Sequence, residues 1–128
     1  NNYDYVVIAQ GTTTTSLGVL TSLNPKTKLI VVPVLKGFDS IGEMKKLAKK
    51  INLTADLSRV LVLDQYHFGG YSKTNNILDQ FVIDFNKSSD FKIEQTYTGK
   101  ALFAMIEYIK NISLNENKLL FIHTGGIV

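Results

Sequence analysis

Three short polar segments interrupt an otherwise apolar pattern, and their residue types are those that bind small charged molecules. The first, Gly11-Thr12-Thr13-Thr14-Thr15-Ser16, stands between a β-branched run and a helical pattern. Consecutive backbone N–H groups at a helix start, together with the positive end of the helix dipole, favour an anion such as phosphate. The segment lacks the Gly-Lys-Ser/Thr of a Walker loop and the Gly-x-Gly-x-x-Gly of a dinucleotide site. A polar turn that only caps the helix is the alternative.

The second segment, Phe68-Gly69-Gly70-Tyr71-Ser72-Lys73, joins two glycines to a tyrosine. Paired glycines let a backbone pass close to a ligand, and the phenol of Tyr71 offers a hydroxyl group to a site. The alternative is that Tyr71 only packs within its loop. The third segment, His123-Thr124-Gly125-Gly126, follows the last apolar run. Neither His67 nor His123 has carboxylates at the spacing of a known metal site, so no metal is predicted.

A fourth stretch, Tyr97-Thr98-Gly99-Lys100, precedes a helical pattern and predicts Thr98 as the helix N-cap. Lys73 and Lys100 are the candidates for a lysine that forms a Schiff base. Lysines near helix starts are usually solvated, so we interpret both as exposed surface residues.

The pattern between these segments alternates strands with helices. Apolar runs predict four strands, at Tyr5–Ala9, Lys28–Val34, Val60–Leu63 and Leu119–Ile122. Helical spacing predicts four helices, over 16–24, 40–51, 77–88 and about 100–112, the second with a capping box of Ser40 and Glu43. Right-handed crossovers then give an α/β fold, a parallel twisted sheet with flanking helices. The three segments follow strand ends, and open α/β sheets bind ligands at that edge.

Composition narrows the classes of protein. The 128 residues are 45% hydrophobic and 20% charged, which indicates one globular unit, and the absence of cysteine excludes disulfides, thiolate metal sites and a cysteine nucleophile. The net charge of +3 comes from scattered residues, so no nucleic-acid partner is predicted. No apolar run approaches a membrane span of ~20 residues, so we expect a cytoplasmic protein without membrane contact. The first strand pattern begins almost at residue 1, and the sequence stops at Gly125-Gly126-Ile127-Val128, which indicates a piece of a longer protein.

Taken together, the four motifs resemble one family in order and in spacing. They are Gly11 to Thr15, Gly69 to Lys73, Tyr97 to Lys100 and His123 to Gly126, with 26 positions from Tyr71 to Tyr97. The family is the pyridoxal-phosphate-dependent 1-aminocyclopropane-1-carboxylate deaminase/D-cysteine desulfhydrase family, which has the tryptophan synthase β-like fold. The resemblance covers residues 1–128 as the carboxyl-terminal part of the cofactor-binding domain. Nothing here matches the family's Schiff-base lysine or its Ser-Asn-His stretch, which belong to the amino-terminal half.

The resemblance implies a role for each motif. The residues that would hold the cofactor phosphate are Gly11, Thr12, Thr13, Thr14 and Thr15. Tyr71 and Tyr97 correspond to the two active-site tyrosines that face the substrate. Thr98 and Thr124 would lie near the pyridine ring, with Thr124 the candidate partner of its nitrogen.

Two of these positions favour one branch of the family. Deaminase members resemble Tyr-Glu-Gly and His-Leu-Gly, whereas this chain has Tyr-Thr-Gly at 97–99 and His-Thr-Gly at 123–125. A carboxylate beside the pyridine nitrogen keeps it protonated and makes the ring a strong electron sink. A threonine hydroxyl supports a neutral nitrogen, which suffices for elimination of a good leaving group.

The sequence therefore predicts a D-cysteine desulfhydrase-type lyase, which forms pyruvate, sulfide and ammonia. As a fragment, this chain alone is expected to be inactive. One alternative is 1-aminocyclopropane-1-carboxylate deaminase, which forms 2-oxobutanoate and ammonia. Another is a non-catalytic phosphate-binding α/β module. The resemblance also implies a small amino-acid substrate and a homodimer.

Overall fold

A computed structural model describes residues 3–10, 13–70, 73–111 and 118–123, the side chain of Asn111 excepted. Its strands are β1 (Tyr5–Gln10), β2 (Lys28–Pro33), β3 (Val60–Val62) and β4 (Leu119–Ile122). Its helices are α1 (Thr13–Ser22), α2 (Ser40–Lys50), α3 (Asn76–Ser88) and α4 (Thr98–Asn111), with a 3-10 helix at Leu57–Arg59. All four strands are parallel and lie in the order β3-β2-β1-β4, which confirms the predicted sheet with flanking helices.

The two central strands are buried on both faces, because each face is covered by different helices. On one face, Val6 and Ile8 of β1 pack in a cluster with Leu17 of α1 and Met44 of α2. On the other face, Val7 and Ala9 belong to a cluster that includes two alanines of α4. The continuous β-branched runs of β1 and β2 fit such two-sided burial, since every side chain of the pleat meets apolar atoms. Helix α3 packs outside α4 through Leu78 and Val82.

The caps of two helices differ from those predicted. The N-cap of α2 is Asp39, whose Oδ1 accepts from the Gly42 N–H at 3.0 Å. The predicted capping box is therefore wrong: Ser40 is the first helical residue, and Glu43 pairs with Lys46 instead. The Asp39 carboxylate caps the helix in place of the Ser40 hydroxyl, because a carboxylate is the stronger hydrogen-bond acceptor near a helix N-terminus.

Helix α4 begins at Thr98, so the prediction that Thr98 is its N-cap is also wrong. The capping acceptor is the Glu94 side chain, as described below. The other predicted helices and strands agree with the structure to within a few residues, while Ile112 lies outside the described residues. Within the described ranges, no helix is long and apolar enough to cross a membrane.

Candidate functional site

The carboxyl edge of the sheet gathers the segments that the sequence singled out. Strands β1, β3 and β4 run parallel, so the chain that follows each one leaves from the same edge. Helix α1 and helix α4 cover opposite faces of the sheet there. Of the predicted site residues, the structure describes Thr13, Thr14, Thr15, Tyr97 and Thr98. The others lie outside the described residues: Gly11, Thr12, Tyr71 and Thr124.

The start of α1 carries the predicted phosphate-binding threonines. Thr13 is half-buried, while Thr14 and Thr15 are exposed in the first turn. That first turn holds no acidic residue. By contrast, the side chains of Asp39 and Asn75 accept backbone N–H bonds at the starts of α2 and α3. Helix α1 thus offers a positive helix end and hydroxyl donors without a carboxylate in its first turn to compete for them.

Buried polar atoms beside this helix start lack partners. Gln10 at the end of β1 and Ser16 in α1 are both 0% exposed. Among the described residues, the Ser16 hydroxyl and both polar atoms of the Gln10 amide have no hydrogen-bond partner. Buried polar groups are nearly always hydrogen-bonded in native proteins, so these atoms could bind a polar group that the described residues do not supply. Hydroxyls, an amide and a helix N-terminus fit a phosphate group, which meets the chemical requirement of the predicted cofactor.

Across the sheet, the start of α4 is closed by a carboxylate of its own chain. Glu94 Oε2 accepts from the Thr96 N–H at 2.6 Å, and Oε1 accepts from the N–H groups of Tyr97 and Thr98 at 2.9 and 2.8 Å. The Thr98 hydroxyl donates to Oε1 at 3.2 Å and accepts from the Glu94 N–H at 3.1 Å. The N-terminus of α4 is therefore capped by Glu94, whereas the first turn of α1 holds no acidic residue.

This carboxylate cap places Tyr97. The Tyr97 residue directly precedes α4, its N–H is bonded to Glu94, and its carbonyl accepts from the Ala101 N–H at 3.1 Å. Its side chain is half-buried and packs against the cluster on the α4 face of the sheet. A phenol held so, at the carboxyl edge, can orient a substrate or hold a proton beside it. The buried Thr98 hydroxyl is engaged with Glu94, so its contact with a cofactor ring stays a prediction.

The prediction that Lys100 is an exposed surface residue is wrong. We expected an exposed, solvated lysine, but its side chain is 0% exposed and Nζ donates to the Gly70 carbonyl at 2.8 Å. Burial lowers the pKa of Lys100, an effect that the charge of Glu94 partly opposes. Lys73, the other candidate, is exposed as predicted. The sequence predicted neither the Glu94 cap nor the burial of Lys100.

The two histidines bond within the chain. His67 Nδ1 accepts from the Gly69 N–H at 3.0 Å, and His123 Nε2 lies 2.6 Å from the Lys92 carbonyl. The His123 ring also meets Phe91 edge to face at 5.8 Å. In the ranges that the structure describes, no group of three histidines or carboxylates is arranged to hold a metal ion.

Comparisons with known proteins match both the sequence and the fold. A Pyrococcus furiosus protein with the provisional name 1-aminocyclopropane-1-carboxylate deaminase is 31% identical over 133 residues, covering 98% of this chain and 40% of that protein. A crystal structure described as an ACC deaminase homologue superposes with a TM-score of 0.81 at 26% identity, again over 98% of this chain and 40% of that one. The chain therefore spans about 40% of the length of these relatives. No protein-family model matches.

Proposed function

We propose that this chain, which is similar to proteins named for 1-aminocyclopropane-1-carboxylate deaminase, forms the phosphate-binding side of a pyridoxal-phosphate-dependent lyase acting on a small amino acid. The observation that carries the proposal is the start of α1, where threonine hydroxyls and a first turn without an acidic residue lie beside buried groups of Gln10 and Ser16 that have no partner among the described residues. The rest of the active site, including the lysine that binds the cofactor, would come from chain outside these residues.

The residues of this chain divide the work between holding the cofactor and orienting the substrate. Residues 11–15 would bind the cofactor phosphate, while Thr124 and Thr98 would lie near its ring. When bound, the cofactor withdraws electrons from the carbon that bears the amino group. Tyr97 and Tyr71 would orient the substrate or hold a proton near it. The 2.9 Å bond from the Tyr97 N–H to Glu94 supports this role, because it fixes the backbone from which the phenol projects.

We propose D-cysteine, or a related amino acid with a thiolate leaving group, as the substrate. With one water, D-cysteine gives pyruvate, hydrogen sulfide and ammonia. The support is the hydroxyl at positions 98 and 124. The nearby Glu94 carboxylate is committed to three backbone N–H groups and the Thr98 hydroxyl, so it is a poor partner for a ring nitrogen. A hydroxyl partner leaves that nitrogen neutral, which favours elimination over the opening of a cyclopropane ring.

The second candidate is 1-aminocyclopropane-1-carboxylate deaminase, which uses one water to give 2-oxobutanoate and ammonia. The names of both similar proteins favour it. Assays of the intact protein with both substrates separate the two, with sulfide and 2-oxobutanoate as the products measured. A higher kcat/KM for D-cysteine is the expected result. A higher kcat/KM for the cyclopropane substrate would assign the deaminase activity instead.

The cofactor proposal has a test of its own in the intact protein. Titration with pyridoxal phosphate is followed by the absorbance of the bound cofactor, for the wild type, Thr14→Val and Thr21→Val. Thr21 lies in the same helix, but its hydroxyl bonds to the Gly18 carbonyl. We expect Thr14→Val to raise the cofactor Kd about tenfold, the loss of one hydrogen bond to a charged group, and Thr21→Val to leave it unchanged. Equal affinities in all three proteins would remove the threonines from the cofactor site. Phosphate binding without cofactor absorbance would identify a non-catalytic module.

A further inference from the structure

We propose that Lys100 is a positioning residue, whose buried ammonium group fixes the glycine loop that leads into Tyr71 against the first turn of α4. The loop comprises residues 64–70, as far as the structure describes it. The tether itself rests on the geometry below. Its consequence for turnover rests on the proposed function, because Gly70 directly precedes Tyr71 and Lys100 stands three positions after Tyr97 in the sequence.

The contact is a single buried hydrogen bond between distant parts of the chain. Lys100 Nζ donates to the Gly70 carbonyl at 2.8 Å, and the two residues are 30 positions apart. The ion pairs of the described residues, Lys46–Glu43 and Lys110–Glu107, both lie on the surface and do not include Lys100. The ammonium group thus has a carbonyl, and no carboxylate in ion-pair contact, as its partner in this part of the chain.

A buried ammonium group without a carboxylate partner lowers the stability of the folded state. Taking an ammonium group out of water costs several kcal/mol, and an apolar side chain of similar volume fills the same space without that cost. Lys100 is nevertheless among the largest fully buried side chains, with 0% exposure. What it provides that methionine would not is a strong donor aimed at a loop carbonyl.

At the glycine end of the loop, the Gly70 carbonyl also accepts a hydrogen bond from the Lys73 N–H at 3.0 Å, and Lys100 adds a second bond that joins this turn to α4. Gly69 and Gly70 have φ values of 101° and 123°, conformations that only glycine adopts readily. Because glycine also adopts many other conformations, its own backbone preference does not hold the loop in this one. The earlier part of the loop is held differently. The ring of Phe68 packs edge to face on Phe103 of α4 at 5.4 Å. Lys100 and Phe103 are three positions apart, so they share one face of α4.

Helix α4 therefore holds the loop through two anchors on one face: the ring contacts of Phe103 with Tyr66 and Phe68, and the hydrogen bond from Lys100 to Gly70. Removal of the second anchor is expected to loosen the loop only at its glycine end. A general stabilising role for Lys100 would instead affect the packing of α4 as a whole.

Hydrogen exchange in the intact protein distinguishes these two roles. Lys100→Met keeps the side-chain volume and removes the donor, while Lys110→Met removes an exposed lysine of the same helix. We expect Lys100→Met to speed exchange of the Gly70 N–H about tenfold, the equivalent of one hydrogen bond, with exchange in α4 unchanged. The Gly70 N–H is a suitable probe because it bonds to the His67 carbonyl at 3.2 Å. Unchanged exchange at Gly70, or equal acceleration throughout α4, would overturn the proposal.

If Lys100→Met fails to fold, acetylation of the wild-type protein tests instead whether the Lys100 amine is held away from solvent. Mass spectrometry then compares the rates at which acetic anhydride modifies Lys100 and Lys110. We expect acetic anhydride to modify Lys100 at least a hundredfold more slowly than Lys110. The protection of Lys100 from acetylation should also match the protection of the Gly70 N–H from hydrogen exchange. Comparable rates at the two lysines would overturn it.

Kinetics of the intact enzyme test the consequence for turnover. Lys100→Met is expected to lower kcat about tenfold with KM and cofactor absorbance unchanged, and Lys100→Arg, which keeps a donor, to recover part of the loss. A loosened loop with an unchanged kcat would overturn the positioning role. If the wild type binds no pyridoxal phosphate, the proposed function fails while the exchange experiment still tests the tether.

Discussion

Removal of the Glu94 carboxylate is expected to destabilise the start of α4 more than truncation of any exposed side chain within that helix. The side chain accepts three backbone N–H bonds of 2.6 to 2.9 Å and one hydroxyl bond. Hydrogen bonds to a charged group are worth about 1.5–3 kcal/mol each, but loss of a helix cap costs only about 0.5–2 kcal/mol in practice, since water reaches the freed groups. With three N–H groups released at once, we expect Glu94→Ala to lower the free energy of unfolding by about 2 kcal/mol.

Urea unfolding of the intact protein measures this loss, with two variants for comparison. Glu94→Gln keeps an amide oxygen in place of the carboxylate, so about half of the loss is expected to return. Glu107→Ala removes an acidic residue of the same helix whose exposed pair with Lys110 is worth about 0.5 kcal/mol or less. Hydrogen exchange shows which part of the helix is destabilised. In Glu94→Ala, we expect faster exchange at the N–H groups of Tyr97 and Thr98 but not at the end of α4.

The reasoning is refuted if Glu94→Ala and Glu107→Ala lower the free energy of unfolding equally. It is also refuted if exchange at Tyr97 stays at its wild-type rate. Either result would mean that the carboxylate does not hold the turn from which Tyr97 projects.

Four further substitutions test other parts of the structure in the intact protein by urea unfolding. Gly99→Ala is expected to destabilise the protein by about 1–3 kcal/mol, because the new Cβ would clash with the Glu94 carbonyl and lie 2.9 Å from a methyl group of α3. Gly18→Ala, whose new Cβ has nothing within 4 Å, is expected to stabilise it by about 0.5–1 kcal/mol. Changes of the same sign in the two variants would contradict this prediction. Ser40→Ala should be neutral or stabilising, since the Ser40 hydroxyl is buried without a partner, and a loss of about 1 kcal/mol would restore the rejected capping box. The folded-state pKa of Lys100 lies below its ordinary value of 10.5, so the unfolded chain binds more protons between the two values and the free energy of unfolding should rise with pH there. Lys100→Met should lack this rise, and identical pH profiles would contradict the burial of the charge.

The sheet and its helices could be predicted because their signals are local. The β-branched runs that became β1 and β2 need only their own residues to indicate two-sided burial, and β4 lies at the predicted bounds, Leu119–Ile122. The helix caps were harder. Ser40 was predicted as the cap of α2, but Asp39 directly precedes it and is also a residue type that favours N-caps, so the local pattern does not decide between the two.

The site was less predictable because its key contacts join distant residues. The partner of Lys100 is 30 positions away, on a loop whose path no local pattern gives. Lysine is also almost never buried, so its ordinary preference favoured the wrong interpretation. Glu94 was missed for a different reason: it caps α4 from four positions before Thr98, and the predicted N-cap was Thr98 itself.

The central claim is that the start of α1 binds the phosphate group of a vitamin B6 cofactor. A crystal structure of the intact protein grown with pyridoxal phosphate tests it most directly. The account predicts that the phosphate oxygens lie within hydrogen-bond distance of the backbone N–H groups and hydroxyls of residues 11–15, on the edge of the sheet that also carries Tyr97. A phosphate bound at another part of the molecule, with this helix start in contact with water alone, would contradict it.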